Sequence, residues 1–86
     1  MDITRIRGKE MIGKIIVGEA GRKYGVVGDI DFITESGELL NIIVSKPTKH
    51  LEELNLKKDE QGRILIPFTA VKSVGDFVII SETDLI

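Results

Sequence analysis

Between Ile12 and Ser45 the apolar residues fall into three short blocks separated by glycine and charge. These are Ile12-Gly-Lys-Ile-Ile-Val17, then Tyr24 to Ile33 after the break at Gly18 to Lys23, then Leu39 to Ser45 after the break at Thr34 to Glu38. Blocks this short, rich in β-branched residues and bounded by turn formers, predict three strands, the last two forming a hairpin. The loop Glu35-Ser36-Gly37 carries glycine in third place, where a three-residue hairpin loop needs a left-handed residue. Such a loop opposes Ile33 to Leu39, Phe32 to Leu40, Asp31 to Asn41, Ile30 to Ile42, Asp29 to Ile43 and Gly28 to Val44. Alternation with period two then turns Val26, Ile30, Phe32, Leu40, Ile42 and Val44 toward a core. It turns Asp29, Asp31 and Asn41 outward, with Ile33, Leu39 and Ile43 stranded among them.

Residues 46–62 are less patterned: Pro47, room for one helical turn around Leu51 and Leu54, then Asp59-Glu-Gln-Gly62 as a hairpin turn. Arg63 to Ile66 and Phe77 to Ser81 read as two more strands. The bridge between them contains Pro67, which cannot donate to a ladder, so the strand ends or bends there. Phe68-Thr-Ala-Val71 fits one tight helical turn, and Gly75-Asp76 lets the backbone swing back into a strand. The bridge is therefore a corner, with Phe68, Val71 and Val74 available to plug a barrel end. No stretch of twelve residues sustains an apolar period of 3.6, which disfavours a helical bundle. The expected fold is all-β, a small barrel of five or six strands with at most short helical turns. Its expected core holds Phe32, Leu40, Ile42, Val44, Ile64, Ile66 and Phe68.

Length and composition narrow the picture without changing it. A chain of 86 residues is expected to form a single domain, residues 1–86, with a radius of gyration of about 12 Å. A fold of this size buries only about 60 to 65% of its unfolded surface, so association would add usefully to a single core. No apolar run approaches the roughly 18 residues of a membrane span, and the first residues lack a secretory pattern, which predicts no membrane insertion and a cytoplasmic location. Absence of cysteine removes disulfides, thiolate catalysis and thiolate metal sites. Net charge is −2, and residues 1–43 and 44–86 each hold six Lys/Arg against seven Asp/Glu, so neither half is a basic tail.

Candidate chemistry is sparse. Asp29 and Asp31 share one strand face with Asn41 opposite, but a hard cation needs further oxygen ligands and strand alternation already explains both carboxylates. His50 is the only histidine, so neither a zinc site nor a nucleophile-base relay assembles around it. Ser36, Ser45, Ser73 and Ser81 sit in turn or strand-end contexts with ordinary backbone partners. The glycines of Gly21-Arg-Lys-Tyr-Gly25-Val-Val-Gly28 match neither dinucleotide nor phosphate-loop spacing and lead into a strand. They read as a turn and as relief of crowding inside a narrow barrel. Arg5, Arg7, Lys9, Lys14, Arg22 and Lys23 leave the first 23 residues net positive by three. Aromatic platforms for bases are missing, so nucleic acid is not an expected partner. No catalytic, cofactor-binding or metal-binding residue is expected, and the protein is read as not an enzyme.

Four of these segments together resemble the PRC-barrel family: Ile12-Gly-Lys-Ile-Ile-Val17, Gly25-Val-Val-Gly-Asp29, Leu39 to Val44, and Ile66-Pro-Phe-Thr-Ala-Val-Lys-Ser-Val-Gly-Asp-Phe-Val78. The Pro, Val and Gly-Asp spacings of the last segment carry most of the resemblance, which runs through nearly the whole chain and is strongest to the small stand-alone archaeal members. It implies a protein-binding role without catalysis, as an adaptor of the archaeal cell-division machinery. A second implied role is that of a ribosome-maturation accessory module binding a ribosomal protein or rRNA. The transmembrane helix of the family's reaction-centre subunit and the extra domain of its ribosome maturation factor have no counterpart in these residues.

Apolar residues left on polar faces predict a homodimer that also docks an unidentified protein partner. Ile33, Leu39 and Ile43 share the outer face of the hairpin. Phe77 to Ile80 are four consecutive apolar residues of which a barrel takes only alternate members, making Val78 and Ile80 further interface candidates, with Leu85 and Ile86 in the tail. The competing expectation is that Pro47 to Asp59, carrying Leu51, Leu54 and Leu56, folds over one face and leaves a monomer.

Overall fold

The computed structural model describes residues 8–32, 35–36 and 38–85. A helical turn α1 (Gly8–Met11) precedes β1 (Ile15–Gly18), β2 (Lys23–Phe32) and β3 (Leu39–Ser45). A second turn α2 (Lys49–Glu52) leads to β4 (Leu65–Pro67), a 3-10 turn at Phe68–Ala70, β5 (Val71–Val74), β6 (Phe77–Ile80) and a final 3-10 turn at Glu82–Leu85. The six strands form one sheet in the order β4-β3-β2-β1-β6-β5. Its two outermost strands are thus consecutive in sequence, joined only by the turn Phe68–Ala70. Six flat strands would hold those edges about 24 Å apart, yet the four Cα steps from Pro67 to Val71 reach at most about 14 Å. The sheet must curl, and the corner foreseen around Pro67 brings its two edges together. The radius of gyration is 11.8 Å.

The hairpin β2–β3 follows the expected register at its centre, where Asp29, Ile30 and Asp31 face Ile43, Ile42 and Asn41. Both ends depart from it. An extra residue at Gly28 lets Val27 pair with Val44, and an extra residue at Leu40 sets Phe32 against Leu39. The first bulge brings Val27 into the core in place of Val26, which is half-buried. The second overturns two expected core residues: Phe32 and Leu40 are 54% and 47% exposed, while Leu39 packs against the core. Phe32 and Leu40 thus lie outside the buried cluster among the described residues. Ile30, Ile42, Val44, Ile64 and Ile66 are buried as expected, and Phe68 packs at the margin of the same cluster.

Met11, Ile16, Tyr24, Ala70, Val71, Val78 and Ile80 join that cluster, which the crossover loop seals. Thr48 ties the loop to β2, its N–H donating to the Tyr24 carbonyl at 3.1 Å and its hydroxyl to the Lys23 carbonyl at 2.7 Å. Leu51 is thereby fully buried, with Leu54 and Leu56 packed alongside. The leucines thus cover the chain's own core, as the competing expectation had it. At the turn before β4, Asp59 accepts the backbone N–H of Gln61 and Arg63 through Oδ1 and pairs with Arg63 Nε through Oδ2 at 2.7 Å. The Arg63 backbone N–H, ahead of its side chain, holds the Asp59 carboxyl below the usual range.

The last turn latches onto the turn between β1 and β2. Glu82 Oε1 accepts the Glu19 N–H at 3.0 Å and the carboxylate bonds the Tyr24 side chain. Gly18 leaves room for this contact, since a Cβ there would lie 2.8 Å from Tyr24 Cε2. Burial, and then the nearby Glu82 charge, raise the Tyr24 phenol above its ordinary value. A raised folded-state value means that the neutral phenol's contribution is complete below about pH 10 and is lost as pH rises through the folded value. Melting temperature is therefore expected to fall more steeply above pH 10 in the wild type than in Tyr24→Phe; identical alkaline slopes would remove Tyr24 from this role.

Candidate protein-interaction surface

The polar residues singled out in the sequence do not converge. Asp29 spends Oδ1 on the Ile30 N–H at 2.8 Å, and Asp31 takes a long bond from Asn41 Nδ2 at 3.4 Å. Ser36 accepts the Glu38 N–H, and the Ser81 hydroxyl pairs with that of Thr83. His50 is exposed on α2. Among the described residues no three His, Asp or Glu side chains come together as a metal-binding group. Arg5 and Arg7 lie outside the described residues.

One recess of about 360 Å³ opens on the hairpin, lined by Gly28, Ile43, Val44, Ser45, Lys46 and Arg63. The bulge at Gly28 makes it possible, because a Cβ there would meet Ser45 Cβ at 2.8 Å. Arg63 is already paired with Asp59, and no acid-base or nucleophile-base pair faces the opening. Chemically the recess offers an apolar floor with a cationic rim, suited to holding a side chain.

The expected interface residues are mostly occupied within the chain. Val78 and Ile80 are fully buried, since β6 lies between β1 and β5 and points these alternate side chains into the core. They are corrected from interface to core. Ile43 is on the outer face as expected but is only 9% exposed, sheltered at the floor of the recess, and Leu39 and Leu85 pack against the core. Ile33 and Ile86 lie outside the described residues.

Among the described residues, the exposed large apolar side chains are instead Phe32, Leu40, Ile12 at 47% and Phe77 at 46%. Phe77 is the more exposed of the two outward members of the apolar run, the other being Ile79, and lies beside Ile15 at the start of β6. Its signal was present in the sequence as the alternate phase of that run. Ile12 had none, as it precedes β1 and follows the buried Met11.

The uncharacterised protein MJ1118 of Methanocaldococcus jannaschii is 31% identical over 83 residues, covering 96% of this chain and 89% of that protein. The family model for the PRC-barrel domain matches residues 3–85. The chain, whose six strands curl into one sheet with its edges joined at Pro67, belongs to the PRC-barrel domain family.

Proposed function

We propose that the protein is a non-enzymatic adaptor that associates with itself and docks a protein partner. The observation that carries this reading is the set of four large apolar side chains, Ile12, Phe32, Leu40 and Phe77, each about half exposed on a chain whose polar groups form no reactive cluster among the described residues. Side chains left this open stand to gain from being covered, at roughly 25 cal/mol for each Å² of apolar surface removed from water. The resemblance to stand-alone archaeal PRC-barrel proteins supports the cytoplasm as the place of action and the cell-division machinery as the setting. No helix among the described residues is long and apolar enough to cross a membrane.

Light scattering at micromolar concentration tests self-association: the wild type is expected at twice the monomer mass, and Phe32→Ser/Leu40→Ser nearer to one. Affinity purification from the native host with both proteins then tests docking. Division proteins should be captured by the wild type and lost with the double variant. Ribosomal subunits enriched in their place, and co-sedimenting at high salt, would refute the adaptor reading in favour of a ribosome-maturation role.

A further inference from the structure

The hairpin β2–β3 separates charge along its length. At its base Arg22, Lys23, Lys46 and Lys49 are all exposed, and the Thr48 hydroxyl bond to the Lys23 carbonyl brings α2 beside the start of β2. Toward its tip Asp29, Asp31, Glu35 and Glu38 are all exposed, and no Lys, Arg or His occurs between Tyr24 and Ser45. Two carboxylates stand at the β1–β2 turn, exposed Glu19 and Glu82, which accepts the Glu19 N–H and bonds Tyr24, and Glu52 and Glu53 follow at the far end of α2, so the four cations outnumber the carboxylates of the turn. Lys23 and Asp31 are eight residues apart on one strand, about 26 Å. That exceeds the physiological screening length of about 8 Å, so the two ends do not neutralise one another within one chain. Phe32 and Leu40, half exposed, lie on the acidic half.

We infer that the surface is completed by a second copy of this chain turned end for end, the acidic tip of each hairpin lying on the basic base of the other. This rests on the self-association proposed above and specifies its surface. Antiparallel alignment satisfies both charge groups at once, and parallel alignment sets like on like. The contact is the same on both partners and closes under a two-fold axis, which ends growth at the dimer. Phe32 and Leu40 supply the apolar surface covered beside the charges.

Sedimentation velocity at micromolar concentration tests this. Raising salt from about 50 mM to about 500 mM shortens the screening length from about 14 Å to about 4 Å and is expected to weaken the wild-type dimer at least about tenfold. Asp31→Lys/Glu38→Lys at the tip and Arg22→Glu/Lys23→Glu at the base, each with its melting checked by circular dichroism, are expected to be monomers alone. Mixed one to one, they should form a heterodimer, because one contact is then reversed in sign on both sides and the other is the native one. A wild-type dimer indifferent to salt, variants that stay dimeric, or folded monomeric variants that fail to pair would overturn this surface while leaving self-association standing. Larger assemblies that grow with concentration would overturn the two-fold pairing. A wild type monomeric at every salt concentration would overturn both. If either variant fails to fold, the wild-type salt dependence alone decides.

Discussion

Ile42→Asp is expected to abolish the fold. Ile42 is fully buried, at the centre of the hairpin where it faces Ile30 on one side and Ile66 on the other. Losing its apolar burial costs about 1.5 to 3 kcal/mol. A carboxylate placed there adds an effective penalty of several kcal/mol, which proton uptake relieves only in part. A domain of this length has about 4 to 13 kcal/mol of stability in total, so the substitution consumes most or all of it. Circular dichroism should show no cooperative melting transition for Ile42→Asp. The control Ile42→Val removes one methylene and should cost only about 0.5 to 1.5 kcal/mol. An Ile42→Asp protein melting like the wild type would mean that this face of β3 does not pack as described.

The second large effect is expected from Gly25→Ala, among the mildest changes in chemical terms. Gly25 has φ +148°, and a Cβ there would lie 2.6 Å from Val44 Cγ1, 3.1 Å from the Ser45 carbonyl oxygen and 3.2 Å from that of Lys46. Backbone strain contributes about 1 to 3 kcal/mol and crowding against backbone that cannot move aside about 1 to 3 more. Two controls separate these contributions. Gly21 has φ +91° with open space around it, so Gly21→Ala should show strain alone; Gly75 has neither strain nor close neighbours, and Gly75→Ala should be nearly neutral. Urea midpoints falling in the order Gly75→Ala, Gly21→Ala, Gly25→Ala are the expected result. Equal midpoints for the last two would show that β2 and β3 have room to separate at Gly25.

Gly25 and Gly28 show how far the sequence could be read. Their spacing argued against a phosphate loop and for relief of crowding, and close approach of β3 is what both make room for. That Gly28 adds a residue to the ladder was not visible, because alternation reports on which side a residue points and not where a strand takes in an extra one. The same limit explains Phe32 and Leu40: pattern assigned them a face, while depth depends on how far the barrel extends beneath the hairpin. Val71 to Val74 read as part of the corner and is a strand, β5, short enough that only its pairing with β6 identifies it. The recess escaped notice for another reason, since Gly28, Lys46 and Arg63 are far apart in sequence and meet only when β2, β3 and the turn before β4 are in place. Lone His50, the absence of cysteine and the scattered serines, by contrast, could be weighed without any coordinates.

The parallel pairing of β1 with β6, which sets Ile15 beside Phe77 and Gly18 beside Ile80, has a consequence for how the chain is made. Sixty-two residues separate these partners, and translation at about 5 to 20 residues per second takes roughly 3 to 12 s to cross that interval. Throughout it β1 pairs with β2 on one side only and presents a bare edge on the other. The barrel cannot be finished from its amino end on the ribosome; it waits for one of the last strands synthesised. The period in which a nascent chain can be captured by a neighbouring strand, or by a chaperone, is therefore set by the speed of translation through β3 to β6 as much as by any barrier within the finished protein.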